Sequence, residues 1–282
     1  MLIFTDNENY FIRRIKEEAE KINFPFKIIN PNFISIYLDS MMYKGEEVLL
    51  KDVIYFRGSI FKEKREKILS ISEFCKFRGA KIINSAESSF ISSNKWLCRL
   101  NLTKNNIKMP KACLIFNKKD IEEVVKNLGG FPILLKTFYG SKGSGVIFIN
   151  DIYSLISVYD YFTALEQNFY LEEFIDSPQK HTVRTICMKD KAICSFIMIP
   201  KEDDFRTKYA KGGHATIADD KTEKIAVDVM KSCKLDFCAV DMIQDNHTGE
   251  YFVLEVNSSP GIEMAEKITE KNIAKQFIST FQ

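Results

Sequence analysis

None of the seven cysteines, at positions 75, 98, 113, 187, 194, 233 and 238, forms a CxxC pair, and their odd number supports neither a disulfide framework nor a tetrahedral zinc site. They read as reduced core thiols. The three histidines, His181, His214 and His247, are too scattered for a metal triad and suit loop or turn positions. No Ser/His/Asp or Cys/His arrangement stands out, so the chain offers no carrier for nucleophilic catalysis. No apolar run reaches membrane-spanning length, and Met1 to Asp6 reads as a short strand running into a turn, not as a signal peptide. The cytoplasm is the expected location, and the sequons at Asn101 and Asn246 are chance matches. With 40 Lys and Arg against 38 Asp and Glu, no global field draws the chain to nucleic acid or membrane, and any basic site must be local.

A chain of 282 residues, 45% hydrophobic, holds one large domain or two to three small lobes with real cores. Two short runs near the C-terminus, Phe237 to Ile243 and Tyr251 to Gly261, carry the clearest chemistry. Both alternate at strand period and are joined by Asp245, Asn246, His247, Thr248 and Gly249, so they predict a β-hairpin. A turn symmetric about Thr248 sets Asp241 across from Glu255. Val240, Met242, Phe252, Leu254 and Val256 then form an apolar core face, while Asp241, Glu255 and Asn257 share the other. Carboxylates facing each other at about 5 Å repel. A hard cation such as Mg²⁺ or Mn²⁺ offsets that repulsion, whereas the plain alternative is a solvated face.

The first 85 residues alternate strand and helix, predicting a small α/β lobe with a mostly parallel sheet. A polar, small-residue passage from Asn84 to Ser93 marks the first boundary, and a helix follows from about Lys95. Residues 86–168 form the second lobe, with strands at Ala112 to Phe116, Ile133 to Thr137 and Val146 to Ile149 and a helix capped by Asp120. Residues 169–282 form the third, opening on a strand from Phe169 to Ile175 and closing on the hairpin and a final helix. The whole is α+β, with antiparallel elements in the latter two lobes.

Between the second and third strands of the central lobe lies Gly140-Ser141-Lys142-Gly143-Ser144-Gly145. Three glycines let backbone N–H groups approach an anion. The loop leads into another strand, so it is neither a Walker A loop nor a dinucleotide fingerprint, both of which need a helix next. Lys136, just before it, supplies a point charge suited to phosphate.

Lys95, Lys136 with GSKGSG, Tyr170 to Ile175, Asp204-Phe205-Arg206 with Lys211-Gly212-Gly213, Val240-Asp241 and Leu254 to Gly261 occur in this order. The ordered set resembles the RimK-like branch of the ATP-grasp ligases, from about residue 85 to the C-terminus, with a weaker echo before it. The resemblance implies an ATP-grasp fold of three lobes, an N-terminal α/β lobe followed by two that grip ATP. A carboxylate would attack the γ-phosphate, and an amine such as an amino acid would capture the acyl phosphate, giving an amide, ADP and phosphate. By position, Lys95 and Lys136 would hold nucleotide phosphates and residues 140–145 would close on them. Glu172, Glu173, Phe174 and Ile175 would be the hinge meeting adenine. Asp241, Glu255 and Asn257 would bind metal, with two ions of Mg²⁺ or Mn²⁺. Such chemistry needs positioning and charge neutralisation more than a nucleophilic side chain. Arg184 and Arg206, matching carboxylate or phosphate bidentately, are the catalytic candidates together with Lys136. Lys208, Lys211, Gly212, Gly213, Ser258 and Ser259 join them as substrate-binding candidates, with Arg57 from the first lobe, which also reads as structural.

The chain departs from the family in three places. Met198-Ile199 stands where an arginine pair is common, Thr182 where an acidic residue often meets ribose, and Lys208 where an asparagine follows the DFR motif. These changes loosen the substrate assignment while leaving the ATP and metal site in place. Three functions follow: a C–N ligase adding glutamate or a similar amino acid to a peptide, protein or small-molecule carboxylate; a peptide-modifying ligase making side-chain amide or ester crosslinks; or a nucleotide-binding module without turnover. A homo-oligomer is left open.

Overall fold

A computed structural model of the chain describes residues 1–50, 53–57, 65–140, 144–177, 181–199, 215–217 and 220–282. The first part contains β1 (Leu2–Phe4), α1 (Tyr10–Lys21), β2 (Lys27–Ile29), β3 (Ile34–Ile36), β4 (Met41–Tyr43), β5 (Glu46–Glu47), β6 (Val53–Phe56), α2 (Arg65–Phe77) and β7 (Lys81–Ile83). β2-β1-β6-β7 form the expected parallel sheet. β3, β4 and β5 add a small antiparallel sheet that the sequence reading left out. α1 follows from its sequence: Asn9 caps it by accepting from the Ile12 N–H, and Phe11, Ile12, Ile15 and Ala19 fall on one buried face.

The supposed polar boundary is itself helical. Ser85 caps α3 (Ala86–Ser93), and Asn94 then caps α4 (Lys95–Lys104). The serines of that passage are mostly buried, and Ser92 and Ser93 donate their hydroxyl protons to backbone carbonyls of the same helix. Next come β8 (Ala112–Cys113), α5 (Ile121–Asn127), β9 (Ile133–Thr137), β10 (Val146–Ile149), α6 (Ile152–Ala164) and β11 (Phe169–Glu173). Asp120 ends a short 3₁₀ turn and makes no side-chain cap to α5, contrary to expectation. β11, expected to open the third lobe, belongs by its hydrogen bonds to the central sheet, whose order is β10-β9-β11-β8.

The last part holds β12 (Thr182–Met188), β13 (Lys191–Met198), β14 (Ala215–Ile217), α7 (Asp220–Ser232), β15 (Phe237–Gln244), β16 (Tyr251–Asn257), α8 (Glu263–Thr269) and α9 (Ile273–Phe281). Its antiparallel sheet runs β14-β13-β12-β15-β16. The single final helix of the sequence reading is two, divided where Glu270 takes a left-handed φ of 55°.

The outer parts share one core. Ile3, Tyr55 and Ile83 of the parallel sheet pack with α1, α9, Phe196 and Phe237, and the rings of Phe11, Tyr55 and Phe237 all lie within 5.2 Å of Phe277, centroid to centroid. Asn84 pins the same junction. Its Nδ2 donates to the carbonyls of Phe237 and Ser258, both at 2.7 Å, and its Oδ1 accepts from the N–H groups of Asp236 and Phe237. The central sheet keeps a separate core, Ile133, Leu135, Ile149, Phe169 and Leu171 under α5 and α6. The site forms where these two bodies meet.

Candidate active site

Strand alternation sorts the central sheet into two faces. Ile133 and Leu135 enter the core, so Lys136 lies on the opposite face. β11 pairs with β9 to set Tyr170 across from Lys136 and Glu172 across from Leu134, which puts Tyr170 and Glu172 on Lys136's side. α4 covers that side and brings Lys95 and Arg99, one turn apart, toward it.

Glu172 is 1% exposed and accepts from two cations, Lys136 Nζ on Oε1 and Arg99 Nη2 on Oε2. Arg99 is fixed further by an Nη1 bond of 2.9 Å to the Pro110 carbonyl and by its guanidinium lying 5.3 Å from the Tyr170 ring centroid. Burial pushes the Lys136 ammonium pKa down, with Glu172 opposing. Burial also pushes the Glu172 carboxyl up, but Lys136 and Arg99 outweigh it and hold it below the ordinary range.

On the hairpin, Asp241 does face Glu255, and Ala239 faces Asn257. The route to that register differs from the symmetric turn. Near the turn Met242 pairs with Val253, and a register shift then brings Asp241 to Glu255. The bulge reverses the alternation. Val253 therefore joins Val240, Met242 and Val256 in the core, while Phe252 and Leu254, assigned to that face from the sequence, are only half-buried. Arg184, directly opposite Asp241 on β12, grips it bidentately, Nε to Oδ1 at 2.6 Å and Nη2 to Oδ2 at 2.5 Å. Lys95 Nζ donates to Glu255 Oε2 at 2.8 Å. Burial raises the Glu255 pKa, but Lys95, Arg184 and Lys136 together hold it below the usual carboxylate range. All these charges act within one electrostatic neighbourhood.

The stem of the glycine loop reaches the same place. The Lys95 N–H donates to the Phe138 carbonyl at 2.9 Å, and Asn94 Nδ2 to the Tyr139 hydroxyl at 3.2 Å. Gly145 has φ 76°, and a Cβ there would collide with the Thr137 side chain; a Cβ at Gly140 would collide with the Ser144 carbonyl. Only glycine fits either position. Ser144 is described, but Ser141, Lys142 and Gly143 lie outside the described residues, as do Arg206, Lys208, Lys211, Gly212, Gly213 and His214.

Several candidates take other roles. Arg57 is buried, donates to the Pro260 carbonyl at 2.6 Å and stacks on Phe11, so it braces the lobes and does not line a cleft. Ser258 gives its carbonyl to Asn84, and the Ser259 N–H bonds Asn257 Oδ1 at 3.0 Å. Arg184 is committed to Asp241. The hinge residues divide: Glu172 points into the buried triad, Glu173 accepts from the Lys111 N–H, and Phe174 packs edge-on against Phe148. Sequence reasoning missed Arg99 and the side-chain role of Glu172. The available signal was Arg99 four residues after Lys95, a like-charged helical pair that needs compensation.

Among the described residues, no three His, Cys, Asp or Glu side chains cluster as a metal site, and no helix is long and apolar enough to cross a membrane. The donor set of Asp241, Glu255 and Asn257 nonetheless fits a hard ion, two carboxylates and an amide on one face with the acids directly opposed. The seven cysteines are free, all but Cys113 buried.

The sequence profile of the RimK-like ATP-grasp domain matches residues 92–281. A probable alpha-L-glutamate ligase of Vibrio vulnificus (strain YJ016) is 28% identical over 282 residues, 96% of this chain and 91% of that protein. Among solved structures, the ATP-grasp ligase PsnB, complexed with a phosphomimetic variant of its minimal precursor, Mg and ADP, superposes with a TM-score of 0.77 at 14% identity, covering 100% of this chain and 98% of that one. The macrocyclase MdnC of Microcystis aeruginosa MRC, bound with precursor peptide MdnA, gives 0.75 at 14% identity, covering 99% and 98%. At such identities the likeness shows a common fold.

Proposed function

This chain belongs to the RimK-like ATP-grasp family of ATP-dependent, ADP-forming ligases, and from that premise we propose that it joins glutamate or a similar amino acid to a carboxylate on a peptide, protein or small molecule. The observation that carries the reading is the Lys95–Glu255 pair, which ties the stem of the glycine loop to the acidic face of the hairpin. Nucleotide phosphates held there meet Lys136 from the central sheet, and Lys95 and the acids from the other body, since the helix of Lys95 packs through Cys98 and Leu102 with Val240 and Val256. Asp241, Glu255 and Asn257 would hold two ions, Mg²⁺ or Mn²⁺, which when bound neutralise phosphate charge. Arg184 keeps Asp241 in place, and the glycine loop covers the phosphates. The substrate carboxylate takes the γ-phosphoryl group, ADP departs, and the amine displaces phosphate from the acyl phosphate. Positioning and electrostatic stabilisation are what this reaction asks of the protein. The free thiols suit the cytoplasm.

A second reading has its own support. Met198, where the family commonly has the first arginine of a pair, is 5% exposed in the shared core and offers no charge to an acidic amino acid. That favours a peptide-modifying ligase whose amine or alcohol already sits in the peptide. ADP release measured with Mg·ATP against amino acids and candidate peptides separates the two. Turnover that needs free glutamate supports the first reading, turnover by peptide alone supports the second, and nucleotide binding without ADP under any pairing overturns both.

A further inference from the structure

Glu172, Arg99 and Lys136 are 1, 5 and 7% exposed, so one carboxylate and two cations share an interior site with a surplus positive charge. A lysine and a glutamate alone would balance, and each further ion taken out of water costs several kcal/mol. The two cations use different oxygens of Glu172 and are held very differently. Arg99 is locked by the Pro110 carbonyl and the Tyr170 ring, whereas Lys136, on a flexible four-carbon stem, hydrogen-bonds only Glu172 among the described residues. Lys136 also immediately precedes Thr137, whose N–H bonds Gly145 at the loop stem.

We propose that Arg99 is a positioning residue that lets Lys136 change partners, keeping Glu172 compensated when the ammonium turns from that carboxylate to a nucleotide phosphate. The inference rests on the reading that Lys136 binds phosphate. Without Arg99, Lys136 would be the sole partner of a buried anion, and its departure would strand that anion beside the incoming phosphates. Nucleotide binding would then bear the cost. With Arg99 in place, the surplus charge is met by the ligand itself.

Calorimetric titration of the full chain with Mg·AMP-PNP tests this. Arg99→Met weakens binding about tenfold or more, ~1.4 kcal/mol, while Arg99→Met/Glu172→Gln, which removes both the anion and its partner, returns to within about threefold of wild type. A role in packing alone would not be relieved by the second change. Affinity of Arg99→Met equal to wild type, or a double variant as weak as the single, overturns the proposal. Should Arg99→Met fail to fold, Arg99→Lys and the double variant carry the test: both bind within about threefold of wild type, and a tenfold loss in the double variant overturns it. A wild-type chain that binds no Mg·AMP-PNP sinks the ligase reading instead, which keeps the two failures apart.

Discussion

The carboxylate under α4 and the two on the hairpin are neutralised in opposite ways. Glu172 is sealed from solvent and carries two cations, whereas Asp241 and Glu255 have one each, with side chains 14 and 35% exposed. The central-sheet cluster is over-compensated and buried; the hairpin cluster is balanced and only partly buried. Removing one partner from a buried pair is strongly destabilising, while an exposed pair contributes little to stability. The first arrangement therefore keeps Glu172 compensated by Arg99 while Lys136 changes partners, and the second suits exchanging a protein cation for a metal ion or a substrate.

The sharpest way to break that contrast is Glu172→Ala, which leaves Lys136 and Arg99 as uncompensated neighbours inside the central lobe. We expect a loss of about 3–5 kcal/mol, read by denaturant unfolding. A loss under 1 kcal/mol would mean the site is wetter than its burial indicates. Asp241→Asn should do the reverse, lowering ADP release about a hundredfold or more, a cost of about 2.7 kcal/mol in the transition state, while stability falls by less than in Glu172→Ala because the Asp241–Arg184 pair is only partly buried. Wild-type turnover in that variant would remove the metal assignment.

How much of this was legible in the sequence follows from the length scale of each signal. The hairpin and the apposition of Asp241 and Glu255 are local, and alternation finds them, while the parallel sheet follows from the strand–helix alternation of the first 85 residues although its pairings are distant. The bulge near Leu254 is not: one extra residue reverses a face, and no turn or glycine announces it. β11 was placed in the wrong sheet because its apolar pattern says it is buried but not against what. Helix α3 is hidden in a polar, small-residue passage that marks a boundary, because serines favour caps and turns until burial and back-bonding fix them. Arg99 was invisible because its partner is 73 residues away.

Lys136→Ala sharpens the comparison from the other side. It leaves Glu172 with Arg99 alone, a neutral pair, so stability should change far less than in Glu172→Ala. Nucleotide affinity should still drop about tenfold, ~1.4 kcal/mol, in calorimetry. An unchanged affinity would return Lys136 to a structural role.

The smallest effect is a titration. The Glu255 carboxyl is held below its unfolded value, so its contribution is complete above about pH 4.3 and is lost as pH falls through the lower folded value. With over a third of its side chain exposed, solvent screening keeps that contribution under about 1 kcal/mol. Glu172, also shifted down, titrates in the same direction, so the acid unfolding of wild type mixes the two. Comparison with Glu255→Gln separates them: the variant should melt slightly lower at neutral pH, and the gap should close as the medium is acidified. A gap that stays constant through the acid range would mean that the Lys95 contact is not electrostatic in origin, and that only the buried carboxylate draws stability from its charge.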